Sequence, residues 1–507
     1  MKNLFNRNKH SFSEYELFGS EEKSDNVTHS DNVPEAGGLN SGAGMTGGAQ
    51  ETAYTGETDN SDYVTDKEAR RAYRRKRRIR NQIIAYGVVA LFLVILLASG
   101  ISIGRKVSGM IKKNNNKKNE QLVDQTPEQD IKVDDKSDNK PDDIIVEAPP
   151  EIEENTLDEQ LEEIVNNCIA VMPLEDKVAG LFIITPEALT GVRTAVQAGD
   201  STQEALNNYA VGGLVYFDNN IIDDDQLSQM LSNTVSMSKY PIFLAVDEEG
   251  GSVSRVANSA IEVVQVDDMQ TIGEVGDDST AYEAGATIGN YLSRLGFNLD
   301  FAPVADVATG AGASLLGTRS FGRDPELCAD MVANLVAGLE GTSVSACLKH
   351  FPGIGSANGD THNGRVEITR TLDEMKSEEF IPFQKGIEAG ADFIMVSHVT
   401  ASSIDMDGLP SSLSRTMITD VLRTDLGYEG IVVTDALNMG AITNYYTSEE
   451  AAVNAITAGA DMLLMPENFG AAYNAVLTAV REGRISEERI DESLRRIYRI
   501  KYADKLE

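Results

Sequence analysis

The stretch Lys349-His350-Phe351-Pro352-Gly353-Ile354-Gly355 runs on to Asp360-Thr361-His362, and these are residue types able to move protons. In an extended segment, side chains two apart point the same way, so Asp360 can accept a hydrogen bond from one ring nitrogen of His362. The other nitrogen would then exchange protons with a substrate, as general acid–base chemistry requires. The alternative at this level is a solvated histidine on a turn, because Pro352, Gly353, Gly355 and Gly359 forbid regular structure. The chain has five histidines; His10 and His29 lie in a polar tail, whereas His350, His362 and His398 each fall at or just after an expected strand end.

The elements that must position these groups are legible as eight apolar, β-rich runs, at 181–185, 213–217, 242–246, 298–304, 346–351, 393–398, 431–434 and 462–465. Helical periodicity fills the intervals 225–238, 280–295, 325–340 and 448–458, and the folded part opens with a helix near Leu174. Eight alternating β/α units predict an α/β protein, a (β/α)8 TIM-type barrel, with a doubly wound sheet as the alternative. In a barrel, chemistry belongs at the carboxyl ends of the strands.

Ionisable residues gather at those ends. The third run leads into Asp247-Glu248-Glu249-Gly250-Gly251-Ser252-Val253-Ser254-Arg255, and the fourth to Asp306 and then Arg319. The fifth delivers Lys349 and His350, the sixth His398, and the seventh Asp435 in Thr434-Asp435-Ala436-Leu437-Asn438-Met439. Taken singly, Asp435 suits a helix cap and Arg255 and Arg319 suit structural ion pairs.

Lys-His-Phe-Pro-Gly-x-Gly followed by Asp-x-His resembles glycoside hydrolase family 3, in its single-domain β-N-acetylglucosaminidase branch. The resemblance covers roughly residues 174–465. It implies a retaining exo-acting β-N-acetylglucosaminidase with Asp435 as nucleophile and His362, oriented by Asp360, as acid/base. It further implies that Asp247, Arg255, Arg319, Lys349 and His350 bind the N-acetylglucosamine ring, with no cofactor and no metal. Glu249 and Asp306 are expected to organise the barrel rim. Three positions depart from the branch's usual pattern: Glu248 and Ser252, read as tuning, and Ile354, which puts the hydrogen bonding of its loop in question. A β-glucosidase, an N-acetylglucosaminide phosphorylase and an inactive surface sugar-binding protein are the competing functions.

A formal charge of −36 argues against nucleic acid as a partner. The three cysteines, Cys168, Cys328 and Cys347, outline neither a disulfide framework nor a metal motif. Residues 1–66 read as a disordered cytoplasmic tail and 67–82 as a basic juxtamembrane segment. The 22 uncharged residues 83–104 predict a single transmembrane helix. Nine Lys/Arg at 67–80 against six at 105–118 place the N-terminus inside and the catalytic unit outside the cell membrane. Residues 105–163 form a charged linker, with 17 Asp/Glu between 120 and 163, and 164–507 form the catalytic barrel. The expected substrate is a cell-wall-derived N-acetylglucosaminide; the sequence leaves the oligomeric state open.

Overall fold

The computed structural model describes residues 157–503. The predicted tail, basic segment, apolar span and linker up to residue 156 lie outside the described residues. Among the described residues, no helix is long and apolar enough to cross a membrane.

Eight parallel strands form the centre: β1 (Phe182–Ile184), β2 (Gly213–Val215), β3 (Phe243–Val246), β4 (Leu299–Asp300), β5 (Ser345–Phe351), β6 (Phe393–Val396), β7 (Ile431–Thr434) and β8 (Leu463–Leu464). They are ordered β7-β6-β5-β4-β3-β2-β1-β8. A parallel bridge between Val433 and Met462 joins the outer two, so the barrel is nearly closed. Each of the eight apolar runs supplies one strand.

Every residue of β1, β2, β3, β6 and β7 is buried. One face packs into the barrel and the other against helices, which is why these runs are continuously apolar rather than alternating. Phe243 of β3 meets Phe393 of β6 edge-on, with ring centroids 5.0 Å apart. Those strands are not neighbours in the ring, so the contact crosses the barrel interior.

Helices return the chain from strand to strand. Among them are α1 (Leu157–Ala170), α2 (Asp224–Met237), α3 (Asp278–Leu295), α4 (Pro325–Glu340), α5 (Phe380–Glu388), α6 (Ser448–Ala458), α7 (Phe469–Arg481) and α8 (Glu487–Ala503), with shorter helices between them. Helix α4 shows how local chemistry sets a boundary. Asp324 accepts hydrogen bonds from the amides of Glu326 and Leu327, and Pro325 occupies the first helical position, where its missing N–H costs nothing. Helices α3 and α4 approach closely because Gly338 faces Tyr282; a Cβ there would stand 2.4 Å from the Tyr282 carbonyl oxygen.

Helix α1 corrects the expected end of the linker at residue 163. Leu161, Val165 and Ile169 recur at intervals of one turn and are buried, while the acidic residues face outward. Arg499 of α8 pairs with Asp158 and Glu162. The acidic composition suggested a spacer; a narrow apolar stripe with a basic partner at the far end of the chain made it a packed helix.

Candidate active site

The carboxyl end of β5 is irregular. Its pairing with β6 slips between Leu348 and Phe351, a bulge that re-aims side chains at the rim. Lys349 Nζ there donates to Asp247 Oδ1 at 2.7 Å and contacts Glu249 Oε1 at 2.5 Å. Arg319 clamps the same Glu249 through Nε and Nη2, both at 2.7 Å. Burial pushes the Glu249 carboxyl up, but Arg319 and Lys349 outweigh it and hold the group well below the usual carboxylate range. Burial would strip Lys349 of its proton, yet Asp247 and Glu249 keep it charged, above its ordinary value. Lys349 and Glu249 side chains are 3% and 1% exposed, whereas Asp247 and Arg319 are each 17% exposed. Asp247 and Arg319 are thus the members of this network that reach the mouth.

His350 is held from the next strand. Its Nδ1 lies 2.7 Å from Asp306 Oδ2, and Asp306 also accepts from the amides of His350 at 3.2 Å and Ile354 at 2.8 Å. The Ile354 amide bond answers the question raised by the departure at that position: the loop's backbone is tied to Asp306 whatever the side chain. Gly355 is required here, since a Cβ would come 1.7 Å from the Val307 carbonyl oxygen. Further along, Ser356 Oγ donates to Glu379 Oε1 at 2.8 Å, and Arg370 lies 3.1 Å from the same carboxylate.

The loop then delivers the dyad. His362 Nδ1 sits 2.7 Å from Asp360 Oδ1, and its amide donates to the same oxygen at 2.9 Å. Asn363 Nδ2 donates to Asp360 Oδ2 at 3.0 Å. A carboxylate that accepts from all sides makes Nδ1 the protonated nitrogen and leaves proton exchange to Nε2. The His362 carbonyl accepts from the Gly440 amide at 3.1 Å, and the Thr361 carbonyl from the Ala441 amide at 2.9 Å.

Those amides open the short helix Gly440–Thr443, which follows the loop bearing Asp435. Asp435 begins where β7 ends; its amide donates to the Val396 carbonyl at 2.9 Å. Burial raises the carboxyl, but His398, His350, the Ala436 amide and His362 together keep it below the usual value. A half-buried carboxylate held ionised at a strand end is equipped to act as a nucleophile.

Arg255 stands apart from these networks. Its guanidinium lies over the Phe217 ring at 5.7 Å and 3.8 Å from Asp218 Oδ2, and its Nε is buried without a hydrogen-bond partner.

Glu248 corrects a sequence expectation. It is fully buried, accepts from the amides of Val256 and Ala257 and from the Tyr291 hydroxyl, and so holds the segment that presents Arg255. Its role is internal, not tuning of the mouth. Beneath it Asp300 accepts from the Glu248 amide, and burial pushes its carboxyl well above the ordinary value. The anchors Ser356–Glu379 and Glu248–Tyr291 join residues far apart in sequence, and no local motif announces them.

A parallel eight-stranded barrel whose carboxylates and histidines gather at the carboxyl ends of its strands has the architecture of a barrel enzyme. Residues 173–500 match the glycosyl hydrolase family 3 N terminal domain, and the chain belongs to that family of glycoside hydrolases. It is 31% identical over 349 residues to Beta-hexosaminidase LpqI of Mycobacterium tuberculosis, covering 66% of this chain and 84% of that one. It is 28% identical over 326 residues to Beta-hexosaminidase A of Pseudoalteromonas piscicida, covering 59% of this chain. The match takes in 54% of that relative, so the chain spans about half of its length. Among solved structures, a family 3 β-N-acetylglucosaminidase from Paenibacillus superposes with a TM-score of 0.63 at 34% identity, over 66% of this chain and 63% of the other.

Proposed function

We propose that the protein is a retaining exo-β-N-acetylglucosaminidase. The observation that carries this reading is the pairing of two loops. Asp435 at the end of β7 is held below the usual carboxylate pKa and accepts from the Ala436 amide, and the Asp360–His362 dyad is tied by its backbone to the helix that follows Asp435.

In the first step, Asp435 attacks the anomeric carbon while His362 Nε2 gives its proton to the departing oxygen, forming a covalent glycosyl-enzyme. Asp360 steadies the imidazolium and its orientation. In the second step the now neutral His362 takes a proton from water, whose oxygen displaces Asp435 and restores the original anomeric configuration. Asp247 and Arg319, at the mouth, offer an acceptor and donors for sugar hydroxyls, with Lys349 and Glu249 fixing both from behind. Arg255 and His350 complete the ring-binding set.

The relatives named β-hexosaminidase and the Paenibacillus β-N-acetylglucosaminidase support the sugar. The apolar residues 83–104 between basic flanks support anchoring in the cell membrane with the barrel outside, where a cell-wall-derived saccharide is the substrate. The test is the full chain assayed with aryl β-N-acetylglucosaminide and aryl β-glucoside, with and without phosphate. Hydrolysis of the first, unaffected by phosphate, is expected. Preference for the glucoside, or a sugar phosphate as product, overturns the reading. Protease added to intact cells is expected to remove the barrel.

A further inference from the structure

The loop that carries the dyad sets out past Ser356 and returns at Arg370, and its two ends meet on one oxygen atom. Ser356 Oγ donates to Glu379 Oε1 at 2.8 Å, and Arg370 Nη1 lies 3.1 Å from that same oxygen. Residues 357–369, with Asp360 and His362 among them, are thus strung between two side chains that share a carboxylate. A loop whose ends lie close together in this way has the form of an Ω-loop.

Glu379 is a firm point of attachment. It is fully buried at the start of α5, and Phe380 and Phe383 of that helix pack on Phe351 of β5 with ring centroids 5.3 and 5.4 Å away. Gly353 passes so near that a Cβ there would stand 2.9 Å from Glu379 Cβ and Cγ. Arg370 is braced in turn by Glu378, whose Oε2 lies 2.5 Å from its Nη2. Glu379 Oε2 is buried and takes no hydrogen bond from another residue, so Oε1 alone ties the carboxylate to the loop. Burial pushes the Glu379 carboxyl above its ordinary value, against the pull of Ser356 and Arg370. Other ties act from Thr361 onward: the Gly440 and Ala441 amides hold the carbonyls of His362 and Thr361, and Glu367 and Ile368 pair with Thr400 and Ala401. Ser356 holds the limb that leads into Asp360.

We propose that Glu379 is a positioning residue for the acid–base step, clamping both ends of the dyad loop so that His362 meets the departing oxygen. The proposal rests on His362 as proton donor. A catalytic group displaced by about 1 Å can lose ~10²-fold in rate, so an anchor that sets where the loop starts and ends bears on turnover without touching substrate.

The test uses the full chain with two substrates, the β-1,4-linked dimer of N-acetylglucosamine and 2,4-dinitrophenyl β-N-acetylglucosaminide. Ser356→Ala releases one end of the loop and leaves the Glu379–Arg370 pair in place. Its kcat on the dimer is expected to fall about tenfold, part of the ~10²–10⁴-fold that acid–base help supplies, with KM and the dinitrophenyl rate within about twofold of wild type. In a His362→Ala background the same substitution should cost nothing further, since the group it positions is gone. Arg370→Met, which releases the other end, should repeat the pattern. Hydrogen exchange of the amides in 357–369 should quicken in both variants while the barrel strands exchange as in wild type. Equal losses on the two substrates, full additivity with His362→Ala, or unchanged exchange in 357–369 overturns the clamp and leaves the glycosidase reading intact. A wild type that cleaves neither substrate, or a His362→Ala loss that is equal on both, removes the dyad's assigned role and the clamp with it.

Discussion

His398 Nε2 lies 2.9 Å from the Ala436 carbonyl oxygen, and a carbonyl only accepts, so that nitrogen carries the ring's proton. Its Nδ1 then accepts from Ser412 Oγ at 2.7 Å. The Ala436 amide in turn donates to Asp435 Oδ1 at 2.8 Å. A buried histidine on the sixth strand's loop is thus linked through the Ala436 peptide to Asp435 at the end of the seventh.

His398→Ala is expected to strand the Ala436 carbonyl and the Ser412 hydroxyl, at a cost of about 1–3 kcal/mol, and to lower kcat. His398→Gln, which supplies both a donor and an acceptor, should recover much of each. The pH dependence is distinctive. Burial lowers the His398 pKa below 6.5, against the pull of Asp435, so the unfolded chain binds a proton that the folded one refuses. The stability this gives is complete above about pH 6.5 and is lost as pH falls from there toward the lowered folded value. Denaturant titrations across that window should show the acid-side slope in the wild type and a flatter curve in His398→Gln; identical slopes would sink the assignment.

Asp435→Ala is expected to lower kcat by more than about 100-fold with an unchanged thermal unfolding temperature. NMR of early product from the wild type should show the β-anomer. Early α-product would rule out the covalent route, and a variant keeping more than about a tenth of wild-type activity would remove Asp435 as nucleophile.

How much of this was legible beforehand differs by element. The strands were readable because burial on both faces leaves an uninterrupted apolar signature, as in Phe393-Ile394-Met395-Val396. Asp360 and His362 were readable because two residues suffice to make the pair. Helix α1 was not, since only three buried apolar side chains identify it and the helix it packs against is α8, more than 300 residues on. Glu248 reads as a mouth residue next to Asp247, yet the short hairpin Glu248–Gly250 with Val253–Ser254 folds it inward. The Glu379 anchor under Ser356 depends on tertiary contact alone.

His362→Ala is expected to depress turnover of poor leaving groups by about 10²–10⁴-fold and that of activated aryl glycosides far less, since their departure needs little protonation. Asp360→Ala should follow the same pattern more mildly, because it acts through the ring it orients. A plot of rate against leaving-group acidity checks both; equal losses on all substrates would make the dyad a binding element.

Lys501 yields the last prediction, far from the chemistry. Its ammonium donates to the Gly212 carbonyl at 2.8 Å and lies 4.5 Å from the Phe243 ring centroid and 5.2 Å from that of Tyr498. Burial pushes its pKa down from 10.5 to about 7, even though both rings favour the cation. The unfolded chain keeps the proton up to about pH 10.5, so folding is penalised fully near pH 7 and progressively less as pH rises between those values. Lys501→Met keeps the apolar stem, and the Gly212 carbonyl retains the Phe243 amide at 3.0 Å as donor. The variant should therefore unfold a few degrees higher than wild type at pH 7, with the gap closing toward pH 10. A gap that stays constant with pH, or a variant less stable throughout, would mean that the ring contacts outweigh burial and that Lys501 stays charged in the folded protein.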